Sequence, residues 1–241
     1  MPEGPEVYTV RDYLSQFTSH AVTVDLKLEI VDGVLLHVAC KGKKLAMIFA
    51  HTTVQFSFGL NGGFTTQDKN NSLAVLRCKD TVLHFSSFLG NVKQLSLQDL
   101  IAEWGKLGPS PILTEDGMFP PIAHVLNNTP PTKFPKSKRN VTAILLDQKI
   151  ISGVGNVIRN EVLWICRIHP HSIWNNIPDT LKALLFQTVW EVCNKLYTCP
   201  ESIFVYGKTT TPTNHPITDI PKDVVCNRRR TYFSETEQVK Y

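Results

Sequence analysis

The chain has 241 residues, of which 42% are hydrophobic and 19% charged, and its formal net charge is +4. This composition is typical of a soluble globular protein with one large core or two modest ones. It excludes a membrane-spanning protein, because no apolar run reaches about eighteen residues. The N-terminus also lacks the pattern of a secretory signal. We therefore expect an intracellular protein with no membrane partner, and the sequence leaves open whether it lies in the nucleus or the cytoplasm.

The cysteines lie scattered in apolar segments, and no two of them form a C-x-x-C pair. They are Cys40, Cys78, Cys166, Cys193, Cys199 and Cys226. This distribution predicts reduced core residues rather than disulfides or metal ligands. We accordingly expect no metal and no cofactor.

Lysine and arginine are concentrated in clusters although the net charge is small. The clusters are Lys41, Lys43 and Lys44, then Lys133, Lys136, Lys138 and Arg139, and finally Arg228, Arg229 and Arg230. Clustered positive charge fits a polyanionic partner better than an even spread would.

The first predicted element is a helix that begins near Pro5. Proline suits a first helical position. Val7, Val10, Leu14 and Phe17 follow at the spacings of three and four residues that are typical of one helical face.

Pro2 lies just before this helix, with Glu3 and Glu6 beside it. Removal of Met1 would leave Pro2 with a free secondary amine, a group whose ordinary pKa is about 7.7 to 8.0. The positive end of the helix dipole favours the neutral amine, which can attack an aldehyde-like sugar carbon and form an imine. Schiff-base catalysis is therefore one hypothesis. In the other, both glutamates are only favourable charges in the first helical turn.

Short apolar runs predict a β-rich region over about the first hundred residues. Residues 22–30 alternate strictly between apolar and polar, which predicts one half-buried strand, and further runs occupy 34–40, 45–50, 54–60, 73–78 and 81–85. Many short strands with turns between them predict an antiparallel sandwich or barrel. Gly59, Gly62 and Gly63 mark either a bulge or a close approach of the backbone to a ligand.

The pattern becomes helical after a proline-rich stretch between residues 94 and 135, which we interpret as a domain boundary. Helical periodicity covers 141–148, 157–165 and 181–196. The glycine turn at residues 153–156 predicts a helical hairpin whose second helix could hold a phosphate at its N-terminus. A dinucleotide-binding fold is excluded because no strand precedes this turn.

The C-terminal stretch is polar and rich in turns. Residues 203–206 and 231–233 each predict a strand, with Arg228, Arg229 and Arg230 at the turn before the second one. Such a hairpin is either a phosphate contact or a solvated basic turn, and these residues alone leave both interpretations open.

Several motifs, in this order, resemble those of the formamidopyrimidine-DNA glycosylase and endonuclease VIII family of repair enzymes. They are Pro2-Glu3-Gly4-Pro5-Glu6, Lys41-Gly42-Lys43-Lys44-Leu45, Phe58-Gly59-Leu60-Asn61-Gly62, Leu107-Gly108-Pro109-Ser110-Pro111, Leu146-Asp147-Gln148-Lys149, Gly153-Val154-Gly155-Asn156, Glu161, His169-Pro170 and Val205-Tyr206-Gly207-Lys208. The resemblance spans nearly the whole chain.

The resemblance implies an α+β fold. Its N-terminal part would be an antiparallel β-sandwich with an N-terminal helix, and its C-terminal part a helical domain with a helix-two-turn-helix and a β-hairpin. We expect a catalytic sandwich domain over residues 1–105 and a linker with the first helical segments over 106–135. The helix-two-turn-helix domain would cover 136–200 and the hairpin 201–241.

The resemblance also implies a bifunctional DNA glycosylase and AP lyase of base excision repair. In this family the N-terminal proline attacks C1′ of a flipped-out damaged nucleotide, and the resulting imine allows β,δ-elimination of both phosphates. The resemblance makes Pro2 the nucleophile and Glu3 the general acid. Glu6 would be a second carboxylate near the sugar, and Lys43 a cation between phosphate and lesion.

The same resemblance implies a set of residues that contact DNA. They are Gly155 and Asn156 at the glycine turn, Lys149, and one of the two hairpin arginines, which is either Arg229 or Arg230. Leu60 and Phe88 would be apolar wedges. Which of the two arginines matches the family's finger arginine depends on a one-residue shift in the comparison, and the sequence leaves this shift open.

One departure from the family pattern concerns zinc. The expected finger positions, at Thr213, Pro216, Ser234 and Glu237, hold no cysteine, and Cys226 stands alone. Four ligands therefore cannot be assembled locally. The hairpin resembles the zincless finger of the endonuclease VIII-like branch, which keeps an arginine without a metal.

A second departure lies at residues 86–90, Ser-Ser-Phe-Leu-Gly, where most members have an R-R-F-G run that fills the gap left by the flipped base. Loss of the arginine removes a group that helps to hold a duplex open. We therefore expect a monomer that binds damaged DNA, both duplex and single-stranded, and removes oxidised pyrimidines and hydantoins. The alternative is a non-catalytic protein that binds damaged or single-stranded DNA. Pro2, Glu3 and Lys43 argue against it, since binding needs neither an N-terminal proline nor an adjacent acid.

Overall fold

The computed structural model of the chain describes all residues except 1, 68–70, 113–119, 127–128 and 227. The chain divides into two units. The first contains Met1–Leu107 and Glu115–Asn127, and the second contains Gly108–Thr114 and Asn128–Tyr241. The helices and the C-terminal hairpin, which the sequence analysis assigns to two separate domains, lie in the same unit.

The first unit consists of helices at either end of a run of strands. The bounds are α1 Gly4–Ser15, β1 Ala21–Asp25, β2 Ile30–Lys41, β3 Lys44–Phe49, β4 Thr53–Ser57, β5 Leu60–Thr65, β6 Ala74–Cys78, β7 Thr81–Phe88, β8 Asn91–Leu95 and α2 Leu97–Trp104. A short 3₁₀ helix follows at Pro120–Val125. As the sequence predicts, Val7, Leu14 and Phe17 form the buried side of the first helical segment.

The strands follow the order β5-β7-β6-β1-β2-β3-β4-β8, and all neighbours are antiparallel. The long strand β2 belongs to both halves, because its first part pairs with β1 and its second part with β3. Its register shifts between Leu35 and His37, and a bulge of this kind bends a strand. Phe56 on β4 therefore meets Phe85 on β7, with ring centroids 5.1 Å apart. This contact closes the predicted antiparallel sandwich around an apolar core.

The predicted strand over residues 22–30 is wrong in its second half. β1 ends at Asp25, whose Oδ1 accepts the backbone N–H of Lys27 at 2.9 Å. The chain then reverses, with Lys27 at a φ of +73° and a 2.8 Å hydrogen bond from Leu26 N to Glu29 O. Leu28 is left 97% exposed. The alternation of apolar and polar residues continues through this turn, so the pattern alone did not reveal it.

A polar network lies under α2. Trp104 is fully buried, and its Nε1 donates to Gln55 Oε1 at 2.7 Å. Gln55 in turn donates to Glu103, which also pairs with Lys44 and Lys93. The hydrogen bond from Gln55, with those from the two lysines, lowers the pKa of Glu103 to about 2. The carboxylate therefore stays charged, and it anchors α2 to strands β3, β4 and β8.

The second unit is built on helices and a β-hairpin. The bounds are α3 Val141–Leu145, α4 Asn156–Ile165, α5 Asp179–Thr198, β9 Thr218–Asp223 and β10 Arg229–Phe233. The predicted helical periodicities over 157–165 and 181–196 lie within α4 and α5, whereas that over 141–148 is helical only as far as Leu145. The fully buried apolar residues of these helices include Ile144, Ile158, Val162, Leu185 and Val189. This core joins α3, the glycine turn and α4 into the predicted helix-two-turn-helix.

The predicted strand at residues 203–206 is wrong. The segment instead surrounds the carboxylate of Glu161, which accepts the backbone N–H groups of Phe204, Val205 and Tyr206 at 2.7, 3.0 and 2.7 Å. Glu161 is buried; burial raises its pKa, and the three hydrogen bonds oppose that rise. A buried charge is accepted here because each partner is a backbone donor that would otherwise need water.

The strand that pairs with β10 is β9, at Thr218–Asp223. Sequence reasoning missed it because this segment is polar and contains Pro221, which weakens a strand pattern. The predicted strand at 231–233 is confirmed as part of β10, and Arg229 and Arg230 lie in that strand rather than in the turn. Arg228 alone lies in the turn, with a φ of +55°.

Cys40, Cys78, Cys166, Cys193 and Cys226 are buried free thiols, as predicted, whereas Cys199 is exposed. Among the residues that the structure describes, no helix combines the length and the apolar character needed to cross a membrane.

Candidate functional site

The N-terminus of α1 holds two of the predicted catalytic carboxylates in a reciprocal arrangement. Glu3 is the N-cap residue, and its side chain accepts the backbone N–H of Glu6. The Glu6 carboxylate in turn accepts the backbone N–H of Glu3. Two donors of the first helical turn are satisfied in this way. Glu3 is 4% exposed and Glu6 is exposed, so the two carboxylates have different environments.

Pro2 is half-buried and immediately precedes this capping box. Its peptide partner Glu3 has the extended backbone typical of an N-cap, with φ −109° and ψ −179°. The residue that the sequence predicts as nucleophile therefore sits directly on a helix start whose backbone is held at two points. Helix N-termini carry partial positive charge, which favours an uncharged amine or a bound anion.

The turn between β2 and β3 carries the predicted catalytic lysine. Gly42 adopts a φ of +59°, a conformation that favours glycine, and the half-buried Lys43 follows it. α1 packs against both strands, and Tyr8 Oη donates to the Cys40 carbonyl at 3.2 Å. The helix that begins beside Pro2 therefore packs on the two strands that the lysine turn connects.

The two neighbouring lysines have structural partners. Lys41 is buried, its Nζ donates to the Val125 carbonyl at 2.6 Å, and burial lowers its pKa. Lys44 pairs with Glu103 at 3.0 Å. The basic cluster that the sequence treats as one feature thus contains two residues that stabilise the fold and one, Lys43, at the turn.

The predicted wedges Leu60 and Phe88 are cross-strand partners where β5 meets β7. In the adjoining loops the backbone of Gly59 packs directly against that of Gly90. A Cβ added to Gly59 would lie only 2.3 Å from the Gly90 nitrogen, so a larger residue would not fit. Ser87 Oγ also donates to the Phe58 carbonyl at 2.6 Å.

This anchored loop presents apolar side chains to solvent. Phe88 is 67% exposed, and Leu89, which adopts a φ of +62°, is 77% exposed. Sequence reasoning considered Phe88 but missed Leu89, whose position next to a glycine in a turn was the available signal. Together they make an exposed apolar tip on a constrained loop.

In the second unit Asn156 joins the glycine turn to the hairpin. Gly155 is the buried N-cap of α4, and Asn156 is its first residue. Asn156 Nδ2 donates to the Arg230 carbonyl at 2.7 Å, and Arg159 Nη2 donates to the same oxygen at 3.0 Å. Arg159 is fully buried and was missed by the sequence analysis, in which an arginine within an apolar helical segment was the available signal. Two predicted DNA-contacting segments are therefore adjacent.

The side chain of Gln148 fixes the shape of the glycine turn. Its Nε2 donates to the Leu146 and Val154 carbonyls at 3.1 and 3.0 Å, and its Oε1 accepts the N–H of Gly153 at 2.9 Å. Lys149 is exposed beside it. The turn is therefore rigid, while the predicted lysine contact projects to solvent.

The two candidate arginines have different environments. The Arg230 guanidinium makes two hydrogen bonds to the Asp219 carboxylate, at 3.0 and 2.6 Å, and this pairing raises the pKa of Arg230 and lowers that of Asp219. It also lies 5.4 Å from the centroid of the Tyr232 ring. Arg229 is exposed, and no ion pair of its guanidinium is found within the described part of the chain.

Cys226, which has no partner cysteine in the C-terminal stretch, lies close to side chains of two other types. Its Sγ lies in a group with side-chain atoms of His171 and Asp223, and these atoms are all within 4.8 Å of one another. A group made of three different residue types from two distant segments leaves no local spacing in the sequence, unlike a pair of cysteines.

Known proteins similar to the chain were found by sequence and by structure. Residues 120–199 match the formamidopyrimidine-DNA glycosylase H2TH domain. The formamidopyrimidine-DNA glycosylase of Listeria innocua is 25% identical over 280 aligned positions, covering 97% of this chain and 98% of its own length. That of Streptococcus agalactiae is 27% identical over 216 positions, covering 78% and 75%.

The solved structures that resemble the chain include enzymes of the same name as these relatives. The formamidopyrimidine-DNA glycosylase of Lactococcus lactis, bound to DNA that contains an AP site, matches with a TM-score of 0.80 and 21% identity, over 99% of this chain and 100% of that one. The same organism's enzyme with DNA containing an oxidised pyrimidine also gives 0.80, at 22% identity. At these identities the likeness shows the fold. Residues 120–199 thus match the formamidopyrimidine-DNA glycosylase H2TH domain, and the chain has the fold of these solved glycosylases over nearly its whole length.

Proposed function

We propose that the protein is a DNA glycosylase and AP lyase of base excision repair that acts through a Schiff base at Pro2. The observation that carries this proposal is the capping box of Glu3 and Glu6 directly after Pro2, on a chain with the fold and H2TH domain described above. The names of the relatives support DNA glycosylase activity. The lyase step and the identity of the nucleophile are inferred here from the residues themselves.

In the proposed reaction the Pro2 nitrogen bonds to C1′ of the damaged nucleotide while the bond from C1′ to the base breaks. Glu3 supplies the proton that the departing base takes up. The C1′–O4′ bond then breaks, O4′ takes up a proton and the opened sugar is held to Pro2 as an imine. The imine acidifies the neighbouring sugar proton, whose loss allows elimination of the 3′ phosphate and then the 5′ phosphate. Glu6, which is exposed, lies near the sugar, and Lys43 is the cation between phosphate and lesion.

The second unit supplies phosphate contacts in this proposal. The start of α4, at Gly155 and Asn156, carries the partial positive charge of a helix N-terminus, which attracts a phosphate. Lys149 and Arg229 are exposed cations on the same unit and add sequence-independent attraction to the DNA backbone. We assign the finger contact to Arg229 rather than Arg230, because Arg230 is already paired with Asp219.

Oxidised bases are the proposed substrates, with oxidised pyrimidines and hydantoins preferred. Solved relatives are bound to DNA containing an oxidised pyrimidine, 8-oxoguanine or a formamidopyrimidine, so the fold accommodates several lesions. The preference is inferred from the endonuclease VIII-like features of the sequence. These are a hairpin without cysteine pairs and the loss of the arginines near Phe88.

Single-stranded DNA is the further proposed substrate. Phe88 and Leu89 are exposed apolar groups without the hydrogen bonds that read a base edge, so they can stack or wedge but cannot recognise an opposite base. Flipping costs least where the base is already unpaired.

The first prediction concerns the nucleophile. One residue added before Pro2 converts its amine into an amide, which cannot form an imine. We expect borohydride to trap the native protein on abasic DNA and to leave the extended protein untrapped, with the cross-link mapped to Pro2 by peptide mass spectrometry.

Binding of the extended protein to abasic DNA without borohydride is the control, and it should match that of the native protein. Trapping that survives the extension, or a cross-link that maps to Lys43, would contradict the assignment. Binding of lesion DNA by the native protein with no trapping at all would favour the alternative of a non-catalytic binding protein.

The second prediction separates the two arginines. Arg229→Ala should weaken binding to lesion-containing DNA roughly tenfold, as expected for one charge-assisted phosphate contact. The matched control replaces Arg230 and Asp219 together with alanine, which removes an ion pair without changing the net charge and should leave the affinity nearly unchanged. Fluorescence anisotropy at fixed salt measures both. The reverse order of effects would exclude Arg229 as the finger contact.

The third prediction concerns the DNA context. Single-turnover excision of one oxidised pyrimidine should be at least as fast on a single strand as on a duplex, because the exposed tip carries no arginine. A duplex rate higher by tenfold or more, about 1.4 kcal/mol in barrier, would mean that Phe88 and Leu89 replace the missing arginine fully.

A further inference from the structure

We propose that His171, Asp223 and Cys226 form a binding site for a transition metal ion, most favourably Zn²⁺. One ligand atom from each residue lies within 4.8 Å of the others, and His171 Nε2 is 2.6 Å from Asp223 Oδ2. Asp223 and Cys226 are buried and His171 is half-buried. The site lies wholly in the second unit and does not depend on the proposed enzymatic function.

Asp223 and Cys226 are spaced as paired metal ligands on one turn. They are three residues apart, like the two ligands of a C-x-x-C pair. Asp223 Oδ1 accepts the backbone N–H groups of Val225 and Cys226 at 3.0 and 3.3 Å, and the Asp223 carbonyl accepts that of Arg228 at 2.7 Å. The turn after β9 therefore holds the carboxylate and the thiol close together.

The third ligand comes from a segment far away in the chain. His171 follows α4, and its ring packs against His169 and Phe233, with centroids 5.0 and 5.9 Å away. Cys226 Sγ also lies 3.8 Å from the Pro170 carbonyl, so the cysteine turn is seated on this loop. The loop after α4 therefore brings the imidazole within reach of the carboxylate and the thiol.

The chemistry of the three ligands selects the metal. Imidazole, carboxylate and thiolate together suit Zn²⁺, whereas an all-oxygen set would suit Mg²⁺ or Ca²⁺. Burial raises the pKa of the Cys226 thiol, so binding must expel the thiol proton to solvent. The ion replaces the 2.6 Å hydrogen bond between His171 Nε2 and Asp223 Oδ2, so that the imidazole keeps its one proton on Nδ1 and both atoms turn a lone pair to the metal. One carboxylate and one thiolate then neutralise the two positive charges.

His169 does not complete the set. Its Nδ1 accepts the backbone N–H of His171 at 3.1 Å, and its Nε2 lies 3.5 Å from Glu235. A bound ion would therefore have three protein ligands and a water. It would tie the turn between β9 and β10 to the loop after α4, beside Arg228 and Arg229.

Cobalt is the probe for this proposal, because Co²⁺ bound to a thiolate in a four-coordinate site gives a ligand-to-metal charge-transfer band and intense visible bands. The full chain is freed of metal with a chelator under reducing conditions, checked by circular dichroism and titrated with Co²⁺. We expect these bands at one equivalent, their displacement by Zn²⁺ and a rise in the unfolding midpoint with Zn²⁺.

Cys226→Ser should abolish the charge-transfer band, and His171→Asn should weaken metal binding by tenfold or more. Cys199→Ser is the matched control, since it removes the exposed thiol of the same unit and should leave the bands unchanged. Absence of the bands in a folded wild-type chain would overturn the proposal. Bands that survive both Cys226→Ser and His171→Asn, or that disappear in Cys199→Ser, would overturn it as well.

Discussion

The proposed chemistry depends on the capping box at the start of α1. A helix leaves its first N–H groups without partners, and here Glu3 and Glu6 satisfy two of them reciprocally. Loss of such a cap typically costs about 1 kcal/mol. The same two carboxylates are the proposed acid and its neighbour, so the interaction that begins the helix also fixes the residue next to Pro2. The proposed function and local stability are therefore coupled in one turn.

In the second unit, hydrogen bonds of polar side chains join segments that are distant in the sequence. Asn156 and Arg159 both donate to the Arg230 carbonyl. The Glu161 carboxylate accepts three backbone N–H groups of the segment that follows α5. These hydrogen bonds are costly to lose, because an unsatisfied buried donor or acceptor incurs its full desolvation penalty. The hairpin that carries the arginines is thereby attached to the helix that carries the glycine turn.

Periodicity predicted α1, α3, α4, α5 and most strands, because burial on one face imposes a repeat on the sequence. It was wrong at residues 26–29, where the alternation of apolar and polar residues continues through a turn. It was also wrong at 203–206, where backbone N–H groups donate to the buried carboxylate of Glu161 instead of pairing in a sheet. The motifs located Pro2, Glu3, Lys43 and Asn156 along the chain. They could not reveal that Arg230 is paired with Asp219, or that His171 meets Asp223, since such contacts join distant segments and leave no local pattern.

The central claim is that Glu3 acts in chemistry and does not only cap a helix. Glu3→Gln tests it most directly, because the amide oxygen can still accept the N–H of Glu6 while the proton donor is lost. Single-turnover rates are measured on DNA with a damaged base and on abasic DNA. The account predicts that base excision falls by about 100-fold or more, as expected for loss of a general acid, while cleavage of abasic DNA falls far less. Equal losses on both substrates would contradict it, because they would mean that Glu3 only positions the DNA or the helix.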